Sequence, residues 1–226
     1  MGMPSISTKC SAVCPPGNRM QDTPITLLRE FLGLHPEVVE CELGIYKYTP
    51  QSVQDTRRLV KCSPAMLAAA FTDSLKVLGH GEELAVHSRL TTADGSKRHM
   101  GFADFLGTLS KTQVEIFTKL AQEFGSDLTA VFRTGRSFHG YALALLSNDE
   151  WVHFLSRLLL LNSPAEPHWI DCRWVGHGLL GGFSSLRISH NTDMYLRPPI
   201  LAVPGVLRHD GASSNRRRSP RLSRSE

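Results

Sequence analysis

Residues 128–146 hold two apolar segments of β-strand character, separated by the polar turn Thr-Gly-Arg-Ser at 134–137. A strand that begins at this turn alternates its side chains, so that Ser137 and His139 share one face. With the guanidinium of Arg136 and the amide N–H groups of the turn, these side chains form a surface suited to a phosphate group. A hairpin with a polar turn and no ligand is the alternative interpretation of the same residues.

Apolar periodicity predicts strands and helices in the rest of the chain. Further strands are predicted at residues 38–48, 83–91, 99–105 and 183–189. Helices are predicted at residues 24–33, 65–78, 113–124, 149–161 and 172–180, with a polar helical segment at 49–60. Hairpin turns connect several of the strands. The pattern therefore predicts an α+β fold, a mostly antiparallel sheet with helices on one side.

Composition divides the chain into three parts. Residues 1–22 are rich in Ser, Pro, Gly and Cys and are predicted to form a flexible leader. Residues 23–205 have the length and apolar content of one domain. Residues 206–226 are rich in Ser and Arg, which predicts a disordered tail. The net charge of +4 falls in the tail region, since six arginines from Arg208 onward face only two acids.

The tail is one candidate for nucleic-acid binding. Four of its arginines could bind phosphates through counterion release: Arg216, Arg217, Arg218 and Arg221. An unstructured terminus without a fixed partner is the alternative. Because the rest of the chain carries no net charge, any affinity of the domain for nucleic acid must come from local patches.

The five cysteines are scattered and odd in number, which favours free thiols in a reducing cytoplasm. The chain has no signal-peptide pattern and no run of eighteen apolar residues, so we expect neither export nor a membrane span. Cys10 and Cys14 could be two metal ligands, but the second pair that a zinc site needs is missing. No zinc is therefore expected.

Three short motifs carry a resemblance to a known family. Arg136-Ser137-Phe138-His139 resembles the small-x-His motif of the archaeo-eukaryotic primase superfamily, and Ile170-Asp171 resembles its third motif. The segment Leu186-Arg187-Ile188, followed by Asn191, resembles the part that closes the nucleotide site in these proteins. The three motifs occur in the order of the family, within about residues 86–200.

A fourth segment indicates which group within the superfamily the chain resembles. Residues 171–177, Asp-Cys-Arg-Trp-Val-Gly-His, are similar to a segment of primase-like proteins from bacterial genomes, the primase 1D-like group. The resemblance implies a primase core of RRM-like architecture and a site for nucleotide or nucleic acid. If residues 172–180 are helical, Arg173 and His177 lie on one face and could approach phosphate. A core tryptophan with a neighbouring ion pair is the alternative.

Active members of the superfamily are two-metal nucleotidyl transferases, with two acids at alternate positions of one strand and a third from another motif. In the matching strand of this chain Asp104 is the only acid, and Phe102 and Leu106 stand two positions away. Asp171 matches the third acid. The resemblance thus implies that Asp104 and Asp171 are the catalytic and metal-binding residues, with Mg²⁺ or Mn²⁺ as the ion. One of the two acids that active members carry on this strand is missing, which puts nucleotidyl transfer by two metal ions in doubt.

The other motif residues are expected to bind phosphate or nucleotide. His139 matches the histidine that contacts phosphate in the family. Arg187 requires a partner, either phosphate or Asp171, because apolar residues flank it. The full set expected here is Arg136, Ser137, His139, Arg173, His177, Arg187 and Asn191. For each of them a purely structural role remains the alternative, such as turn formation by Asn191.

The sequence therefore predicts a primase-like protein that binds nucleotide or nucleic acid and is weak or inactive as a polymerase, beside a partner enzyme encoded elsewhere. An active Mg²⁺- or Mn²⁺-dependent nucleotidyl transferase is the first alternative. A protein-interaction scaffold with a degenerate site is the second. Neither a P-loop nor a dinucleotide-binding glycine motif is present.

Overall fold

A computed structural model of the chain describes residues 23–49, 52, 56–126, 128–193, 195 and 198–203. The predicted leader and the tail arginines lie outside the described residues. The helices are α1 (Pro24–Gly33), α2 (Leu67–Lys76), α3 (Lys111–Glu123), α4 (Asn148–Leu159) and α5 (Cys172–Gly181). The strands are β1 (Val38–Lys47), β2 (Arg58–Cys62), β3 (Glu82–Thr92), β4 (Lys97–Phe105), β5 (Leu128–Arg133), β6 (Phe138–Leu146), β7 (Ser185–Arg187) and β8 (Ile200–Val203). Among these helices, none has the length and apolar character needed to cross a membrane.

The eight strands of the described residues form one sheet in the order β2-β1-β3-β4-β6-β5-β8, and β7 pairs with β3. Every pairing between these strands is antiparallel. The predicted α+β class with a mostly antiparallel sheet is therefore confirmed. Strand β4 pairs with β3 only at residues 89–91, and β7 pairs with β3 at residues 85–87. The divergence of β4 from β3 thus leaves room for β7.

Apolar side chains cover both faces of the sheet. Phe102 and Tyr141 belong to one buried cluster with the apolar residues of α1. Ala103 and Ala142, their neighbours along the strands, belong to a second cluster with α3 and α4. Because neighbouring residues of a strand point to opposite faces, the two clusters lie on opposite sides. The prediction that the helices share one side was therefore wrong: the central strands are apolar on both faces and need a cover on each.

The predicted helical segment at 49–60 was also wrong at its end, since residues 58–60 belong to the edge strand β2, while residues 50, 51 and 53–55 of the segment lie outside the described residues. Charged side chains of this strand form ion pairs with neighbouring elements. Lys61 contacts Glu40 at 3.0 Å, and Arg58 contacts Glu82 at 2.7 Å. An edge strand with one exposed face can therefore carry the same polar composition as a surface helix.

Candidate functional site

A cleft of about 590 Å³ lies where the ends of β1, β4, β6 and β7 meet α5. It brings together side chains from the separate sequence motifs. The predicted site residues that line it are Asp104, Arg136, Ser137, His139, Asp171, Arg173, His177 and Arg187. The segments that supply them are far apart in the sequence, so the cleft exists only in the folded chain.

Asp104 and His139 form the floor of this cleft. They are directly paired residues of β4 and β6, and Nε2 of the imidazole lies 3.8 Å from Oδ1 of the carboxylate. The imidazole is buried, and its Nδ1 makes no hydrogen bond to the described residues. Burial, with the charge of Arg187 nearby, lowers the pKa of His139 to about 3. The ring is thus neutral at pH 7, and one nitrogen can donate a hydrogen bond to a ligand.

Asp171 stands beside Asp104 because an isolated bridge joins the two segments. The amide N–H of Asp171 donates to the carbonyl oxygen of Asp104 at 3.0 Å. The side chain of Asp171 caps α5, with Oδ1 accepting from the amides of Arg173 and Trp174 at 2.8 and 3.1 Å. Burial and the proximity of Asp171 raise the pKa of Asp104 to about 8. The negative charge of Asp171 thus favours the protonated form of Asp104.

The carboxylates of Asp104 and Asp171 are the acidic donors that this cleft offers a hard divalent cation. Within the described ranges, no group of three or more His, Cys, Asp or Glu side chains is arranged to hold a metal ion. Phe102, two positions before Asp104, is fully buried against the ring of Tyr141, and Leu106 is 43% exposed and does not line the cleft. Asp104 and Asp171 are therefore the cleft residues that could contact a Mg²⁺ or Mn²⁺ ion, with water filling the rest of its coordination sphere.

Arg187 fixes the turn at residues 134–137 against β7. Its guanidinium donates to the carbonyl oxygen of Thr134 at 2.9 Å and to that of Ser189, and it lies 3.9 Å from the ring centroid of Tyr195. The sequence left phosphate and Asp171 as candidate partners of this arginine; the structure supplies backbone carbonyls. Two of the five N–H donors are committed in this way, and the side chain still lines the cleft.

The predicted helix at residues 172–180 is confirmed as α5, which places Arg173 and His177 on one face. Nη2 of Arg173 lies 3.5 Å from Nε2 of His177, and both side chains line the cleft. Trp174, which follows Arg173, also borders the cleft. Its indole N–H donates to the carbonyl oxygen of Ser185 at 2.7 Å and so ties α5 to β7.

Asn191 is the predicted site residue that the structure places elsewhere. Its side-chain amide donates to the carbonyl oxygens of Gly79 and Glu82, at 3.2 and 3.0 Å, and it does not line the cleft. This segment is held by a residue that the sequence did not single out. The carboxylate of Glu83, only 1% exposed, accepts from the amides of Asn191 and Thr192 and from the hydroxyl of Ser189.

Further cleft residues were missed from the sequence, among them Tyr46, Lys47, Arg57 and Tyr195. The first two end β1, and Arg57 immediately precedes β2. Apolar periodicity identifies β1 but does not reveal that its last residues face the cleft. A basic residue beside an aromatic one is too common on protein surfaces to be a signal by itself.

An antiparallel α+β core with a histidine of a small-x-His motif beside two acids in one cleft defines a primase-like domain. A family model for archaeo-eukaryotic primase 1D-like proteins matches residues 65–200, more than half of the chain. The chain therefore belongs to this primase 1D-like family. No curated protein and no solved structure matches it. Tyr46 and Arg57 lie before the matched part, so the family model does not account for that wall of the cleft.

Proposed function

We propose that the cleft binds a nucleoside triphosphate, with the phosphates held by His139, Arg136 and the helix residues Arg173 and His177. The observation that carries this proposal is the charge of the cleft. Its cationic lining residues are Lys47, Arg57, Arg136, Arg173 and Arg187, against the two carboxylates of Asp104 and Asp171. A cleft with an excess of positive charge attracts polyphosphate, and a low-dielectric wall strengthens that attraction.

The two carboxylates give the cleft a second role in this proposal. A triphosphate commonly enters protein sites as a complex with a divalent cation that keeps part of its water. Asp104 and Asp171 would hold the cation on the side of the phosphates. The cation would supply charge neutralisation there, and the side chains of this chain would orient the nucleotide.

We further propose that polymerase activity is weak or absent. In-line transfer by two metal ions requires carboxylates on both sides of the ion pair. Phe102 occupies the inner neighbour position of Asp104 and packs into the core, so it cannot be exchanged for an acid without burying a charge. The protein would then act as a nucleotide-binding or sensing subunit, with a partner enzyme performing the synthesis.

The test is binding of each labelled ribonucleoside triphosphate, with Mg²⁺, Mn²⁺ or chelator, to the full chain with Arg216, Arg217, Arg218 and Arg221 replaced by serine. The serines remove the tail as a competing anion site. Metal-stimulated binding that His139→Ala weakens at least about tenfold supports the proposal. Arg29→Ala, on an exposed position of α1, is the matched control and should bind like the parent.

Two results would contradict the proposal. Absence of binding to the tail-substituted chain, with nucleic-acid binding by the unaltered chain, would assign function to the tail and leave the domain as a scaffold. Rapid primer extension by the parent protein, lost in Asp104→Asn, would show that the protein is an active nucleotidyl transferase.

A further inference from the structure

Cys41 and Cys62 lie directly opposite each other in the antiparallel pairing of β1 with β2. Their Sγ atoms are 3.5 Å apart, and Sγ of Cys41 lies 3.4 Å from the carbonyl oxygen of Cys62. Opposed residues of antiparallel strands have Cα atoms about 4.5–5.5 Å apart, which is a separation that a disulfide can span. Bond formation therefore requires only that the two sulfurs approach to about 2.05 Å.

The surroundings of the two thiols differ. Cys41 is 2% exposed, whereas Cys62 is half-buried on the edge strand. The hydrogen bond with Cys41 lowers the pKa of Cys62, and the same hydrogen bond together with burial raises the pKa of Cys41. The thiolate is the reactive form of cysteine. Cys62 is thus the accessible nucleophile, and Cys41 is the shielded thiol beside it.

We propose that Cys41 and Cys62 are a peroxide-sensitive thiol pair that closes into a cross-strand disulfide. The thiolate of Cys62 first attacks one oxygen of hydrogen peroxide, and the O–O bond breaks. A sulfenic acid forms on Cys62, and the departing hydroxide takes up a proton to become water. The thiol of Cys41 then attacks the sulfur of Cys62 and loses its proton, the S–S bond forms, and the hydroxyl of the sulfenic acid leaves as water. The two sulfurs lose two electrons, and one peroxide is reduced to two waters.

The position of the pair links it to the cleft. β2 is the outermost strand next to β1. The chain immediately before β2 carries Thr56 and Arg57, which both line the cleft. The guanidinium of Arg57 lies 5.3 Å from the ring centroid of Tyr46 on β1. A bond between the two strands would therefore hold this wall of the cleft to the body of the sheet.

The test exposes the fully reduced, full-length chain to hydrogen peroxide, alkylates the remaining thiols at intervals, and maps the peptides by mass spectrometry. A cross-linked peptide pair that joins Cys41 to Cys62 is expected. Cys172, an exposed thiol on α5, is the internal reference and should not form a link with Cys41 or Cys62. The same treatment in guanidinium chloride should show no preference for this pair, because unfolding separates the strands.

Two variants follow the steps separately. Cys41→Ser should accumulate a sulfenic acid on Cys62 that dimedone traps, and Cys62→Ser should leave Cys41 as a thiol. If no link between these residues forms, or if either of them links to Cys172 instead, the proposal is wrong. The measurement on the native chain decides this even where a variant fails to fold, and it does not depend on whether the cleft binds nucleotide.

Discussion

Asp104 and His139 face each other across β4 and β6, with 3.8 Å between Oδ1 of the carboxylate and Nε2 of the imidazole. Burial affects the two groups in the same sense, since it disfavours the charged form of each. The pKa of Asp104 rises to about 8 and that of His139 falls to about 3. At pH 7, without a bound cation, the pair is therefore mainly an acid and a neutral ring rather than an ion pair.

We expect Asp104→Asn to affect nucleotide binding in a pH-dependent way. In chelator at pH 6.5, where Asp104 is protonated, the variant should bind like the parent. Above pH 8 the parent carboxylate is ionised and repels phosphate, so the variant should bind about fivefold to tenfold more tightly. Titrations at pH 6.5 and pH 9 check this.

The same variant should lose the stimulation of binding by Mn²⁺, since an amide is a weaker ligand than a carboxylate for a hard cation. Asp94→Asn, in the turn between β3 and β4 and outside the cleft lining, is the control. Equal stimulation by metal in Asp104→Asn and in the parent would exclude Asp104 as a metal ligand.

Acid should destabilise the fold through buried histidines. Burial lowers the pKa of His99, which stacks on Trp151 at 4.4 Å between ring centroids, to about 4. The unfolded chain takes up this proton near pH 6.5, so between pH 6.5 and pH 4 it binds more protons than the folded chain. Stability therefore falls as the pH drops through this window, by on the order of 2 kcal/mol for His99 alone.

The His99→Phe variant separates this contribution from that of other groups. The phenyl ring keeps the stack on Trp151 but cannot titrate. Denaturant unfolding at several pH values should show a shallower acid dependence in the variant than in the parent. His153→Phe, at an exposed position of α4, should leave the dependence unchanged. Identical slopes in His99→Phe and the parent would show that His99 does not titrate differently on unfolding.

Glu83→Gln should destabilise the segment that follows β7. The carboxylate accepts hydrogen bonds from Ser189, Asn191 and Thr192, and an amide replaces one acceptor oxygen by a donor. We expect a loss of about 2–4 kcal/mol in the free energy of unfolding. Glu115→Gln, on the exposed face of α3, is the control. A loss no larger than in that control would contradict the anchoring role of Glu83.

Gly140→Ala should disturb the strand that carries His139. An added Cβ would lie 2.7 Å from Cζ of Phe117 and 2.8 Å from Cε2 of Phe105, inside a packed layer. We expect a cost of about 1–3 kcal/mol from overpacking. Gly176→Ala on α5 is the matched variant: no neighbouring atom lies within 4 Å of its added Cβ, and the helix should gain about 0.5–1 kcal/mol. Thermal unfolding of the two variants should therefore shift in opposite directions.

The predicted strands at residues 38–48, 99–105 and 138–146 agree with β1, β4 and β6 to within two residues. Each of these strands has many apolar residues in a short segment with turns at its ends, so the local sequence pattern is enough to define it. The predicted strand at residues 183–189 is reduced to Ser185–Arg187. Its ends make other contacts, because Phe183 stacks on His87 and Ser189 binds Glu83. Such partners are distant in the sequence and leave no local pattern.

The sequence by itself determined most of the strands and helices, the family motifs and eight of the side chains that line the cleft. Each of these depends on residue types at short spacing along the chain. Only the tertiary structure decided that Arg187 binds the turn at Thr134, that Arg57 and Tyr46 join the cleft, and that Cys41 meets Cys62. The Cys41–Cys62 and Arg187–Thr134 contacts join segments about twenty and more than fifty residues apart. They form because apolar side chains on both faces of the sheet fix the register of its strands. That register depends on packing across the whole domain.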